Sequence, residues 1–291
     1  MAEPALPIRL IALDIDGTLV GEDQVIGDRT AAAITEATRR GIAVSLVTGR
    51  MATSALPFAR ALGLTGPIVA QQGAMIRSMP EAESTRPGKL LFHRPLSPEA
   101  TIDIVRWCFE RELIPHFNHL EWMIVGADEE RMEEYRRFVG DRLRIVPDIR
   151  ARAASPVTKV VAIGEGKHSI DVLDEGRAYF AGRAEVTLSH PRFLEFLAPG
   201  VSKGLGVRWL ARRLRIPLAQ CMAVGDQYND LEMISEVGYG VAMPSAPAAV
   251  LAAARYVAPP VAEEGAAQMI ESLALGATMP AAGGRAKGPR R

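Results

Sequence analysis

The chain has 291 residues, 48% hydrophobic and 23% charged, with 34 basic and 34 acidic side chains that cancel. These values exclude a wholly disordered chain, a collagen and a disulfide scaffold. They also leave no global field to draw the protein to nucleic acid or an anionic membrane. The length suits two ordinary domains or one large one.

The run 8–13 (IRLIAL) is short, mostly apolar and stopped by Asp14 and Gly17, the pattern of a strand covered on both faces. Asp28 is placed to cap a helix over 29–40 that stops at Gly41. A second buried strand over 43–47, a helix near 54–62 and a strand at 68–71 follow. This alternation predicts an α/β fold with a doubly wound, Rossmann-like parallel sheet. After residue 79 the pattern changes. A polar stretch, 81–89, reads as a linker. Beyond it come a strand at 90–95, a helix at 98–113 capped by Ser97, and two strands flanking Asn118. A helix at 129–139, strands at 143–146 and 159–163, a helix at 170–180 and strands at 186–189 and 193–197 complete the stretch. Paired strands between helices predict an inserted α+β unit. From Ser202 the first pattern resumes: a helix to 214, a strand at 221–224, a helix at 229–237, a strand at 240–243 and two Ala-rich helices. The expected division is a core of 1–82 and 191–276, an inserted cap of 83–190, and a disordered tail of 277–291.

Cys108 and Cys221 lie far apart in apolar stretches and read as buried structural thiols. No window approaches the roughly 18 apolar residues of a membrane span. A cytoplasmic protein is expected, with no membrane or nucleic-acid partner; the basic tail residues Arg285, Lys287, Arg290 and Arg291 read as a solvated terminus.

Four polar clusters follow apolar strands or open helices: Asp14-Ile15-Asp16-Gly17-Thr18, Thr48-Gly49-Arg50, Ser202-Lys203-Gly204 and Gly225 to Asp230. Ligands of open α/β sheets sit at the carboxyl ends of strands, so these clusters are candidates to converge. Asp14 and Asp16, two apart in extended chain, are expected to leave one face. With Asp226 and Asp230 they would repel one another unless a cation joined them, and hard oxygen ligands suit Mg²⁺. Lys203 and Thr48 offer charge and a hydroxyl to phosphate oxygens. An Asp carboxylate is also a competent nucleophile toward phosphorus.

These residues resemble the haloacid dehalogenase superfamily, and within it the Cof-type, sugar-phosphatase-like group of subfamily IIB. The motifs are DIDGTLV (Asp14 to Val20), VTGR (Val47 to Arg50), FLAPGVSKG (Phe196 to Gly204) and VGDQYNDLEM (Val224 to Met233). The resemblance implies a Mg²⁺-dependent phosphatase of a small phosphorylated metabolite, a sugar phosphate or phosphorylated cofactor. Asp14 would be the nucleophile and a metal ligand. Asp16 would be the acid and then the base, touching the metal through its carbonyl, and burial beside an ionised carboxylate would keep it protonated. Thr48, Gly49, Lys203 and Asn229 would hold the phosphoryl group, and Asp226 and Asp230 would complete the metal site, Asp230 indirectly. A phosphosugar mutase or phosphotransferase of the same superfamily, or a non-catalytic metabolite-binding protein, is the alternative; oligomeric state is left open.

Only 34 positions separate Asp14 from Thr48, but 155 separate Thr48 from Lys203, so the insertion falls after the third strand. In this family that place carries the larger, C2-type cap, a lid over the phosphoryl site. Two departures stand out: Gln72-Gly73-Ala74, where Asn-Gly-Ala is usual, and Pro244-Ser245. Among cap residues, His116, Asn118, His119, Trp122 and Arg152 are candidate substrate readers, with core or surface roles the default. Met75, Met222, Met233 and Met243 read as core.

Overall fold

The computed structural model describes residues 6–82, 84, 86–127, 132–166 and 168–277; the expected tail, except Ala277, lies outside them. The chain opens with β1 (Leu10–Leu13), whose four side chains are fully buried, as the apolar run predicts. Next come α1 (Asp28–Arg39), β2 (Ala43–Leu46), α2 (Ala52–Ala61), β3 (Ile68–Ala70), β4 (Met75–Arg77) and β5 (Leu90–His93). The middle of the chain forms α3 (Pro98–Phe109), β6 (Ile114–His119), β7 (Trp122–Gly126), α4 (Met132–Val139), β8 (Leu143–Val146) and α5 (Ile149–Arg152). It continues through β9 (Lys159–Ile163), α6 (His168–Asp171), α7 (Leu173–Tyr179), β10 (Glu185–His190) and β11 (Phe193–Leu197). The last part holds α8 (Lys203–Leu214), β12 (Cys221–Gly225), α9 (Leu231–Glu236), β13 (Tyr239–Ala242), α10 (Ala248–Ala253), β14 (Tyr256–Val257) and α11 (Gly265–Leu273).

The core sheet is parallel, in the order β14-β13-β12-β1-β2. β3 continues it beyond β2 through a parallel bridge between Val47 and Val69. Alternation along β1 sorts its side chains to two faces. Ile11 and Leu13 join Met222 and Val224 against α1, α2 and α11, while Leu10 and Ala12 join Cys221 and Ala223 against α8, α9 and α10. This two-sided burial is the doubly wound architecture. Met75, Met222, Met233 and Met243 all lie in these cores, and both cysteines are buried and free.

The second sheet is mixed, in the order β10-β11-β9-β6-β7-β8, antiparallel except for the β7–β8 pair. One face packs through Trp107, Phe180 and Phe196 against α3 and α7. Strand pairing moves both expected borders of the inserted unit. β5 pairs with β4 beside the core, so residue 83 is too early a start; β11 pairs with β9 and β10, so residue 190 is too early an end. The 193–197 run is apolar whichever sheet it joins, and only its partners decide.

Three local expectations are also corrected. Gly27, not Asp28, precedes the first helical residue, and the helix start is satisfied from a distance: Glu264 Oε2 accepts from Thr30 N at 2.7 Å and from Thr30 Oγ1 at 2.8 Å. β4 had no signal of its own, because it forms only when the Gln71-Gln72-Gly73 turn folds the chain back along β3. The helix expected at 229–237 is a single tight turn over 228–230 followed by α9.

Candidate active site

The tips of three neighbouring strands come level where the motifs lie. Asp14 N donates to Val224 O at 3.1 Å, and Val47 N donates to Leu13 O at 2.8 Å. Asp14, Thr48 and Asp226 are therefore presented side by side at the carboxyl edge of the sheet. Lys203 reaches this edge from the first turn of α8, whose N-cap Ser202 accepts from Leu205 N at 3.0 Å.

At the centre the Lys203 ammonium lies fully buried between two carboxylates. Nζ stands 2.7 Å from Asp14 Oδ1 and 2.6 Å from Asp230 Oδ1. The other oxygen of Asp230 accepts from the backbone N–H groups of Asp226 and Gln227, each at 3.0 Å. Both Asp230 oxygens are thus engaged in holding Lys203 and the 226–230 turn. Asp226 differs: its Oδ1 is buried and has no hydrogen-bond partner among the described residues.

Carboxylate oxygens of Asp14, Asp226 and Asp230 lie within 4.8 Å of one another. Burial lifts the Asp14 carboxyl well above its ordinary range; Lys203 opposes this, while Asp230 and Asp226 add to it. Burial and then the Asp230 charge push Asp226 up to about 7. Burial alone would depress Lys203, yet Asp14 and Asp230 outweigh it and hold the ammonium protonated. One ammonium does not balance three carboxylates. A cation among hard oxygen donors, with an orphaned buried acceptor turned toward it, is what this set fits. Gly17 keeps the space open: its φ is +72°, and a Cβ there would come 2.3 Å from Asp226 Oδ2.

Asp16 is elsewhere. β1 ends at Leu13, and the chain turns at once, with Leu19 N and Val20 N both donating to Ile15 O. The expected shared face therefore does not extend to Asp16, whose side chain is 52% exposed and outside the acidic cluster. Arg50 Nε donates to its Oδ2 at 2.7 Å, a second guanidinium nitrogen donates to Oδ1, and Gln24 Nε2 lies 3.4 Å from Oδ1. Although burial acts to raise it, the hydrogen bonds and charge of Arg50 bring the Asp16 carboxyl below its ordinary value. The protonated Asp16 expected from like-charge repulsion is corrected here, because its nearest charge is a cation.

Thr48 is buried, and its Oγ1 accepts from Arg50 N at 3.1 Å. Gly49 O accepts from Lys159 Nζ at 2.9 Å. Asn229 Nδ2 donates to Gln72 Oε1 at 2.9 Å, and its Oδ1 is buried without a partner among the described residues. A cavity of about 490 Å³ opens beside Lys203 and Asn229, walled by Arg177, Glu185 and Thr187 of the second unit and by Tyr228 and Glu232 of the core.

Of the candidate readers, His116 and Asn118 are buried, and burial followed by the Lys159 charge pushes His116 down to about 3. Trp122 lies under the Arg144 guanidinium, and Arg152 donates to Ser155 O at 3.2 Å. His119 is partly buried, its Nδ1 without a partner among the described residues, and neither it nor Arg152 lines the cavity. Sequence reasoning named Arg50 only as part of the Thr48-Gly49-Arg50 cluster, without a role, and missed Gln24, Lys159, Glu195 and Glu121. Lys159 and Glu195 carried a signal, a lone charge that opens one apolar strand (KVVAI) and interrupts the other (FLEFL). Glu121 lies in the β6–β7 turn, pairs with Arg77 at 2.7 Å and accepts from Thr53 N at 3.0 Å at the start of α2.

Residues 11–270 match the family described as haloacid dehalogenase-like hydrolase. A protein of Serratia proteamaculans (strain 568) named HMP-PP phosphatase is 29% identical over 239 residues, covering 82% of this chain and 84% of its own length. The crystal structure of a haloacid dehalogenase-like hydrolase from Bacteroides thetaiotaomicron superposes with a TM-score of 0.73 at 26% identity, over 91% of this chain and 99% of that one. A HAD subclass IIB sugar phosphatase superposes with a TM-score of 0.77 at 23% identity, over 91% and 98%.

Proposed function

This chain belongs to the haloacid dehalogenase-like hydrolases, and on that premise we propose that it is a phosphatase whose Asp14 takes the phosphoryl group from a small phosphorylated metabolite. The observation that carries this assignment is the buried triad of Asp14, Lys203 and Asp230, beside an Asp226 oxygen that has no partner among the described residues. Lys203 holds Asp14 through Oδ1, and Oδ2 is the oxygen we assign to in-line attack on phosphorus. The same ammonium neutralises a phosphoryl oxygen as charge shifts in the transition state. The Asn229 amide and the Thr48-Gly49 turn supply the remaining polar contacts.

Asp14, Asp226 and the backbone carbonyl of Asp16 are the groups we assign to a divalent cation, Mg²⁺. When bound it supplies charge neutralisation between the nucleophile and the phosphoryl oxygens. Asp16 gives its proton to the leaving oxygen and later takes one from the water that cleaves the phosphoaspartate. Because Arg50 holds Asp16 ionised, its carboxyl must part from that guanidinium and take up a proton from solvent before it acts as an acid. The cavity beside Lys203 has the size of a small-molecule site, which supports a metabolite-sized leaving group.

The test is phosphate release from a panel of sugar phosphates, phosphorylated cofactors and HMP-PP, with Mg²⁺ or chelator, beside Asp14→Asn. Release that needs metal and vanishes in Asp14→Asn is expected. Steady turnover by the pure variant refutes the nucleophile, and an isomer formed without free phosphate points to a mutase.

A further inference from the structure

Lys159 and Glu195 place a salt bridge inside the molecule, at 2.7 Å, with both side chains almost wholly buried. They come from neighbouring strands β9 and β11 of the cap sheet, yet each also reaches a residue of the core. Lys159 Nζ also donates to Gly49 O at 2.9 Å, and Gln72 Nε2 donates to Glu195 Oε2 at 3.2 Å. The amide of Gln72 then accepts from Asn229 Nδ2 at 2.9 Å, and its backbone N–H donates to Thr48 O at 3.0 Å. Ser189 Oγ holds the second oxygen of Glu195.

A buried ion pair is a poor device for stability alone, since an apolar pair of like volume serves a fold at least as well. This pair instead stands where two cap strands meet three groups assigned to phosphate: Thr48, Gly49 and Asn229. Gln72 is held at φ +59°, a left-handed backbone that side chains seldom adopt, and that turn aims its amide into the junction. With one methylene more than Asn, it spans both Asn229 and Glu195. The fit leaves no slack, because a Cβ at Gly49 would come 2.5 Å from Gln72 Nε2.

We infer that Lys159, Glu195 and Gln72 are positioning residues that tie the seating of the cap to the shape of the phosphate cradle. Lys159 holds the Gly49 carbonyl and so orients the Thr48-Gly49 turn. Gln72, held by Glu195, orients the Asn229 amide. The cradle is complete only while the cap sheet rests on the core. This rests on the proposed phosphate role of Thr48, Gly49 and Asn229.

The experiment compares wild type, the double variant Lys159→Met/Glu195→Leu and the single variant Gln72→Met. The readouts are melting temperature, the Kd for inorganic phosphate by calorimetry with Mg²⁺, and kcat and KM, all taken well below the melting transitions. The double variant leaves no buried charge unpaired, but the Gly49 carbonyl, the Gln72 amide and the Ser189 hydroxyl each lose a partner, so it is expected to fold and to melt somewhat below wild type. Its phosphate affinity and kcat/KM are expected to fall about 10- to 100-fold, and Gln72→Met is expected to follow it, the scale of misplacement by about 1 Å. Should the double variant fail to fold, Gln72→Met decides on the same readouts. Folded variants that bind phosphate and turn over within about twofold of wild type overturn the inference. A wild type that binds phosphate but hydrolyses nothing on the panel defeats the proposed function instead, and phosphate affinity alone then decides the coupling.

Discussion

Replacing Lys203 by Met tests the centre of the site most directly. The substitution keeps an unbranched stem of similar volume, so packing is little changed, but it removes the ammonium in contact with Asp14 and Asp230. Both contacts are short, 2.7 and 2.6 Å, and Lys203 and Asp230 have no side-chain exposure. Removing one partner of a buried pair costs about 3–5 kcal/mol, because the carboxylate left behind keeps its desolvation penalty and loses its attraction. Asp230 retains its two backbone donors, whereas Asp14 loses its ion pair, so most of the penalty falls on Asp14. At roughly 2–4 °C per kcal/mol, the melting temperature in chelator near neutral pH should drop by roughly 6–20 °C. Adding Asp14→Asn to Lys203→Met should recover part of that loss, and turnover of Lys203→Met should fall about 100- to 1000-fold. Scanning calorimetry of the single and double variants measures the stability effect. A Lys203→Met protein that melts within about 1 °C of wild type, or no recovery from Asp14→Asn, refutes the reasoning.

Asp16→Asn should lower steady-state turnover by about 100- to 10000-fold yet still allow a burst of phosphoenzyme, detectable by acid quench after a single turnover. Gly17→Ala should add left-handed strain of about 1–2 kcal/mol and displace Asp226; the expected readout is a higher Mg²⁺ concentration for half-maximal activity. His116 is buried beside the Tyr135 ring and the Lys159 charge and is held down to about 3, against an ordinary 6.5. Between those values the unfolded chain binds the proton that the folded one refuses, so stability is present above about 6.5 and is lost as pH falls. Urea unfolding should show about 2 kcal/mol less stability from this group at pH 5 than at pH 7, and His116→Phe should flatten that slope.

The distribution of what was legible follows from where the information sits. Asp14, Lys203, Asp226 and Asp230 could be read along the chain because each follows a buried strand or opens a helix. A doubly wound sheet brings such positions to one edge whatever the loop details. Burial of the sheet on both faces was legible for the same reason, since the mostly apolar run along 8–13 is a local property. Asp16 was misplaced because strand alternation was extended past the point where the chain turns. Its pairing with Arg50 joins residues 34 apart. The borders of the cap could not be read because β5 and β11 are short and apolar in either sheet, and register is a relation between strands.

The sequence by itself determined that a parallel α/β core carries an acidic, lysine-bearing cluster at its strand tips and a large insertion after the third strand. Only the tertiary structure decided how those charges are apportioned: Lys203 between Asp14 and Asp230, Arg50 on Asp16, and Lys159 between Glu195 and the Gly49 carbonyl. Composition counts charges of each sign, but the partner of a buried charge is set by distances of under 3 Å between segments far apart in the chain. Local patterning places a side chain on a face; it does not say which distant side chain will meet it there.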